Sequence, residues 1–221
     1  MRSWRLFLAA LCLLGGGCAD AKGRFQDFED RAGTQQGEAG ARNDGAAGAA
    51  NDGECHPPAP GVVHGFAVLA LETSALPGSA ILFFGQIDTP ELGGNTAVKF
   101  EYRALDATDR QTQVGERLVV GPYEIAADGS FEAPTAESTL PGSANAILPG
   151  VPITSELTLH GTICGVTDFY CGTVSGTVSS PIAGPTSGQF GLTLVPSLED
   201  MPPRPRFGCA DDALAPPLAD D

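Results

Sequence analysis

Few residues of this 221-residue chain combine the types and spacing that catalysis requires. The three histidines, His56, His64 and His160, stand far apart in the sequence, and each is expected to be a solvated surface residue. The string Gly172–Gly176 contains Ser175 but does not place it as a nucleophile elbow would, and it is typical of a strand. Zinc-protease, phosphate-loop and calcium-loop motifs are absent from the sequence. We therefore expect no catalytic residue, no metal site and no cofactor.

The start of the chain predicts export. A short basic segment precedes the apolar run Leu6–Leu14, which is too short to span a membrane, and three glycines then lead to Cys18. Small residues immediately before a cysteine resemble the lipobox of bacterial lipoproteins, although Gly15 stands where a leucine is usual. The resemblance implies that residues 1–17 are a signal peptide and that Cys18 is lipidated. The alternative is an ordinary signal cleavage a few residues later, which would release a soluble secreted protein.

Lipid on Cys18 would make the membrane the first partner of the protein. Each buried methylene of an acyl chain contributes about 0.8 kcal/mol, and two chains are enough for stable anchoring. Ala19 stands where an aspartate retains enterobacterial lipoproteins in the inner membrane. By analogy with that family we expect a cell-envelope protein of the outer membrane, on its periplasmic or its surface face.

The other cysteines that follow Cys18 predict two disulfides, because exported proteins oxidise their thiols. Cys55, Cys164, Cys171 and Cys209 allow three connectivities. Cys164 and Cys171 flank the mouth of a predicted hairpin, whereas Cys55 and Cys209 bracket the domain, so bridges within these two pairs are expected. The spacing of Cys164 and Cys171 is wrong for paired zinc ligands.

The segment between Cys164 and Cys171 is the candidate contact loop. It carries Asp168, Phe169 and Tyr170, and tyrosine and phenylalanine are frequent anchors in interfaces. A loop closed by its own disulfide is already ordered, which lowers the cost of binding a partner. The alternative is that one of the two aromatic rings folds under the loop and caps the core.

Composition divides the rest of the chain into three parts. Residues 18–54 hold Cys18 and a linker rich in Ala, Gly, Asn and Asp, which is expected to be flexible. Residues 55–195 form one globular domain, and residues 196–221 are a Pro-rich, acidic tail that is expected to wrap back over the domain, with its last dozen residues disordered. Without the signal peptide the chain carries 10 basic and 27 acidic residues, a net charge of −17. That charge excludes the usual mode of nucleic-acid binding, which depends on attraction to phosphate.

Alternation of apolar and polar residues predicts an all-β domain of about eight strands. In the segment 98–104 the residues Val98, Phe100, Tyr102 and Ala104 share one face, and the charged residues share the other. The apolar runs Phe66–Leu71 and Ile81–Phe84 alternate less and are expected to be covered on both faces. A single antiparallel β-sandwich is the preferred architecture, and a small up-and-down β-barrel is the alternative.

A second resemblance concerns the domain itself. The segment Leu157–Cys164, followed by Asp168–Gly176, is similar to a pattern in uncharacterised lipoproteins of GC-rich Gram-negative bacteria. In these proteins a signal and a low-complexity linker precede one all-β domain, and the resemblance would cover this chain from about Phe66 onward. It implies an architecture and no activity.

Three functions remain open. We expect a lipid-anchored envelope protein without catalysis, which binds an envelope protein or glycan or has a structural role. An envelope hydrolase acting on glycan or peptide would need polar residues that converge in one cleft. A small-ligand carrier would need a barrel with an open apolar interior.

Overall fold

The computed structural model describes residues 55–74, 77 and 79–217. The predicted signal peptide, Cys18 and the linker lie outside the described residues. In the described part the chain forms ten strands and two single-turn 3-10 helices. None of the helices found there is long and apolar enough to cross a membrane. The prediction of an all-β domain is confirmed.

The elements follow one another in simple order along the chain. The strands are β1 (His64–Thr73), β2 (Ala80–Asp88), β3 (Glu91–Leu92), β4 (Asn95–Leu105), β5 (Gln113–Glu124), β6 (Ser130–Pro134), β7 (Ser138–Leu140), β8 (Ile153–Thr162), β9 (Phe169–Ser180) and β10 (Gly184–Leu194). The two 3-10 helices are Gly142–Ala144 and Leu198–Asp200.

Eight of these strands form one antiparallel sheet in the order β5-β4-β2-β1-β10-β9-β8-β6. The last strand, β10, pairs with the first, β1, so that the sheet curls into a half-barrel. The short strands β3 and β7 pair with the start of β4 and the start of β8. Among the described strands, β5 and β6 end the sheet on its two sides without pairing with each other. The architecture is therefore nearer to the barrel alternative than to two packed sheets.

Strand β4 shows how the sequence pattern builds this sheet. Val98, Phe100, Tyr102 and Ala104 are all buried in the main core, as the alternation predicts. On the opposite face Glu101 accepts a bond from Lys99 Nζ at 2.6 Å and pairs with an arginine of β5. The inward and outward faces of β4 are therefore apolar and charged, respectively.

One end of the half-barrel is filled, and we call it the closed end. The rings of Phe100 and Phe131 lie 6.0 Å apart there. Gly161 leaves room for these rings, because a Cβ atom on it would come within 2.6 Å of the Phe131 ring and 2.9 Å of the Phe190 ring. Without side chains at such positions, aromatic rings pack directly against the strand backbone.

Residues 55–63 run across the closed end and seal it. Thr96 Oγ1 donates to the Pro58 carbonyl at 2.7 Å. The fully buried Thr89 hydroxyl accepts from the Val63 N–H and donates to the Val63 carbonyl, both at 3.1 Å. The segment thereby enters the core, where Val63 is buried beside the other residues of the closed end.

The two disulfides join Cys55 to Cys164 and Cys171 to Cys209. All four predicted cysteines are paired, but the expected bridges Cys164–Cys171 and Cys55–Cys209 are wrong. The physical reason is the alternation of β9, in which Tyr170 is buried in the core and the following residue, Cys171, lies on the outer face. Cys164 instead lies at the closed end, where Cys55 enters the domain.

The C-terminal tail covers the outer face of β1 and β2. A second hydrophobic cluster forms there between strand residues and tail residues: Val68, Ala70, Ala80, Leu82, Phe84, Leu105, Val195, Phe207, Ala213 and Ala215. The prediction that β1 and β2 are covered on both faces is confirmed. The tail wraps back over the domain as predicted. The prediction that its last dozen residues are disordered is wrong for residues 210–217, because this apolar face offsets the entropy of ordering them.

The disulfide pairing can be tested by peptide mapping without reduction. Trypsin leaves Cys164 and Cys171 on one peptide, because no Lys or Arg lies between them, but cleavage before Asp168 separates them. We expect one linked pair with Cys55 and Cys164 and another with Cys171 and Cys209. A disulfide between the peptide that contains Cys164 and the peptide that contains Cys171 would contradict the structure.

Candidate functional site

The end of the half-barrel opposite the closed end is not filled. Here the sheet encloses a cavity of about 380 Å³, which lies in the range of about 300–1,000 Å³ of small-molecule sites. Every long strand except β6 contributes to its walls, with Leu69, Phe83, Ala104, Leu118 and Leu157 among the apolar lining residues. We call this space the cavity and this end the open end.

The cavity exists because the inward residues of the open end are smaller than those of the closed end. Phe83 and Tyr102 are the only aromatic residues that line it within the described residues, and the other lining side chains are aliphatic, small or polar. In addition, β6 ends at Pro134, so this side of the sheet is covered by residues 135–152, in which the short strand β7 and one 3-10 turn are the regular elements. The interior of an eight-stranded barrel can be filled by large side chains or can hold one small ligand. Since most of the side chains at the open end are aliphatic or small, they do not fill it.

Asn145 organises the segment that covers the cavity. It is fully buried, its Nδ2 donates to the Val151 carbonyl at 2.7 Å, and its Oδ1 accepts from the N–H groups of Ile147 and Leu148 at 2.9 Å each. All its side-chain bonds therefore serve the local backbone, which places Ile147 and Leu148 in the cavity wall.

Apolar side chains also surround the opening of the cavity. Ile182, in the turn between β9 and β10, is 78% exposed, and Leu148 is 43% exposed, yet both line the cavity. Large apolar residues at a surface usually mark a binding region when they form part of a concave site. The cavity thus opens to solvent past an apolar rim.

Tyr102 is the most deeply placed polar residue of the cavity wall. It is 7% exposed and packs against Phe83, with ring centroids 5.3 Å apart. Burial raises the pKa of the Tyr102 hydroxyl, because the charged phenolate would lose its hydration. The hydroxyl therefore stays protonated and remains a hydrogen-bond donor.

The predicted contact loop differs from the expectation. Asp168 is exposed, but Phe169 is half-buried beneath the Arg206 guanidinium, 4.0 Å from its ring centroid. Tyr170 is buried in the core, and its hydroxyl donates to the Gly165 carbonyl at 3.3 Å; burial raises the pKa of this hydroxyl. The loop has no disulfide of its own, so the premise of a pre-ordered contact tip is wrong, and the alternative of a capping ring is the arrangement observed.

The histidines lie outside the cavity. His64 Nδ1 is 3.5 Å from Asp88, near the closed end. His160 is on the outer face of β8, as its position in the alternation predicts. In the described part of the chain, no group of three His, Cys, Asp or Glu is placed to hold a metal ion.

His160 nevertheless has two partners that sequence reasoning missed. Its Nε2 lies 3.1 Å from Ser175 Oγ, and its Nδ1 lies 3.4 Å from Glu132 Oε1. This is the connectivity of a Ser–His–Glu relay, built from neighbouring positions on β9, β8 and β6. The three residues lie on the outer face of the sheet, where the backbone of Ser175 is enclosed between Thr158 and Ser187 on the adjacent strands.

A relay of this kind also needs backbone donors for the oxyanion, and the ladder of a sheet already uses its N–H groups. Cross-strand pairing of polar residues explains the cluster of Glu132, His160 and Ser175 without catalysis. The register of three strands was the missing signal, because no local motif connects these residues.

Comparison of the chain with protein-family models, with curated proteins and with solved structures finds no match. The cavity and its lining are therefore the features of this domain from which a function can be inferred.

Reaction with a fluorophosphonate probe tests the relay. We expect Ser175 to remain unlabelled, because its hydroxyl lies on an exposed strand without free oxyanion donors. The readout is peptide mass spectrometry of the treated protein, with His160→Ala as the matched control. Labelling of Ser175 that disappears in His160→Ala would favour the envelope hydrolase instead.

Proposed function

We propose that this domain is a carrier of a small apolar ligand, held at the cell envelope by lipid on Cys18. The observation that supports the carrier is the apolar cavity of about 380 Å³ at the open end of the half-barrel. Of the functions left open by the sequence, only the carrier requires such an interior.

The chemistry of the lining favours transport over catalysis. The polar groups around the cavity are mainly hydroxyls, such as those of Thr73, Tyr102 and Ser138, and neither His64 nor His160 is among the lining residues. Each methylene of a ligand that leaves water for the cavity gains about 0.8 kcal/mol. A chain of about ten methylenes thus gains roughly 8 kcal/mol, comparable with the freedom lost on binding.

The position of the cavity fits a tethered carrier. The chain enters the domain at Cys55, which is bonded to Cys164 at the closed end. The cavity opens at the other end, past Ile182. Cys55 and the opening therefore lie at opposite ends of the domain.

Two neighbouring residues of β5 provide a matched test of the cavity. Leu118 lines it, whereas Val119 is 53% exposed on the other face. We expect Leu118→Trp to fill the cavity and to weaken the binding of a naphthylamine dye at least ten-fold. Val119→Trp should leave the dye affinity within two-fold of that of the parent. Dye fluorescence is titrated on the mature chain carrying Cys18→Ser, which needs no detergent. Equal dye affinity of both variants, with unchanged circular dichroism, would contradict the proposed site.

The intact mass of protein extracted from membranes tests the anchor. We expect a chain that starts at Cys18 and carries acyl chains, and whose mass rises by four hydrogens when the two disulfides are reduced. Cys18→Ser should move the protein to the soluble fraction. A wild-type chain that begins a few residues later without lipid would show a secreted protein and would remove the anchor from the proposal.

A further inference from the structure

The lining of the cavity holds very little charge. Glu116 is the only charged residue among the described residues that line it, and Glu116 is exposed. The basic residues of β4 and β5 belong to the outer face, where Arg103 is exposed and Lys99 and Arg117 both pair with Glu101. A carboxylate or phosphate placed in the cavity would therefore be desolvated without a cation to compensate for it, which proteins avoid.

The deep part of the cavity does hold a hydrogen-bonding group without a partner. The Tyr102 hydroxyl has no hydrogen bond within the described part of the chain, and burial is the only cause of its raised pKa. The Tyr102 oxygen is not enclosed by protein atoms, unlike the unpartnered Thr73 Oγ1 in the same lining, so it faces the space of the cavity. A tyrosine hydroxyl in apolar surroundings normally finds a hydrogen-bond partner. A group on the ligand is the partner that this position lacks.

Tyr102 also stands at the boundary between the filled and the unfilled interior. The neighbouring inward residue towards the closed end is Phe100, whose ring centroid lies 6.5 Å from that of Tyr102 and which is not part of the cavity wall. The neighbouring inward residue towards the open end, Ala104, does line the cavity. A ligand that reaches Tyr102 therefore inserts its polar group first and leaves its apolar part towards the rim.

We propose that the ligand is an uncharged molecule with an apolar body and one hydroxyl or carbonyl group, and that this group bonds to the Tyr102 hydroxyl in the depth of the cavity. The inference rests on the proposed function and adds the class of ligand. Long-chain alcohols, aldehydes and esters belong to this class, and ionised fatty acids do not.

Three probes of equal chain length test the inference: decane, 1-decanol and decanoate at pH 8. Each displaces the naphthylamine dye from the mature chain carrying Cys18→Ser. We expect 1-decanol to bind at least ten-fold more tightly than decanoate. Tyr102→Phe should weaken the binding of 1-decanol about three- to ten-fold, as the loss of one hydrogen bond predicts. The affinity for decane should stay within two-fold of that of the parent.

Tyr123→Phe is the matched control for the substitution. Its hydroxyl donates to the Pro134 carbonyl at 2.9 Å across the gap between β5 and β6, and Tyr123 does not line the cavity. We expect this variant to bind all three probes as the parent does, and thermal unfolding of both variants reports whether the fold persists.

The outcomes separate the two proposals. If decanoate binds best, the ligand class is overturned. If Tyr102→Phe weakens the binding of decane and 1-decanol equally or not at all, the bond to the Tyr102 hydroxyl is overturned. The carrier stands in both cases. If neither the dye nor any of the three probes binds the folded parent, the carrier itself is overturned, and the ligand class with it.

Discussion

The pairing of the first long strand with the last is the constraint on which the structure depends. Seven consecutive positions join β1 to β10, from Ala67 opposite Leu194 to Thr73 opposite Gly188. The strands approach so closely that a Cβ atom on Gly188 would lie 1.9 Å from the Glu72 carbonyl. Because β5 and β6 do not pair, this one long-range pairing is what joins the strands β1 to β5 and the strands β6 to β10 into one curved wall with an interior.

The interior of such a wall is either packed with side chains or left as a cavity, and the two ends of the molecule differ in this respect. At the closed end Phe131 and Phe190 pack against glycine backbone, Phe100 packs against Phe131, and the segment 55–63 seals the remaining gap. At the open end aliphatic residues leave a cavity. The closed end supplies the packing that stabilises the fold, so the open end can remain unfilled at a cost that a bound ligand would offset.

Local patterns in the sequence predicted the strands well. The alternation from Val98 to Ala104 and the continuous apolar runs of β1 and β2 depend on neighbouring residues, and the structure confirms both. The return of the tail over the domain was predicted, but its ordered packing was not, because Phe207 and Ala213 have no periodicity of their own and become apolar partners only beside the outer face of β1 and β2. The disulfide pairing was predicted wrongly because Cys164 and Cys171 are close in sequence, whereas Cys171 lies on the outer face of β9 and bonds to Cys209 there.

The cavity could not be read from the sequence, because it depends on the sum of inward side chains from eight strands at one level of a curved sheet. For the same reason Tyr102 was expected as an inward residue of β4 but not as a polar group beside empty space. The relay of Ser175 and His160 shows the converse, since register brings together residues that no motif connects.

The bridge between Cys55 and Cys164 has a mechanical consequence. Any tension that reaches the domain from its N-terminal side arrives at Cys55 and passes through a covalent bond into the loop between β8 and β9. Peeling β1 from its neighbours by that route would require Cys55 to move away from Cys164, which the covalent bond prevents. A domain fastened in this way would resist being unzipped from its first strand, and its curved wall would keep its shape under load.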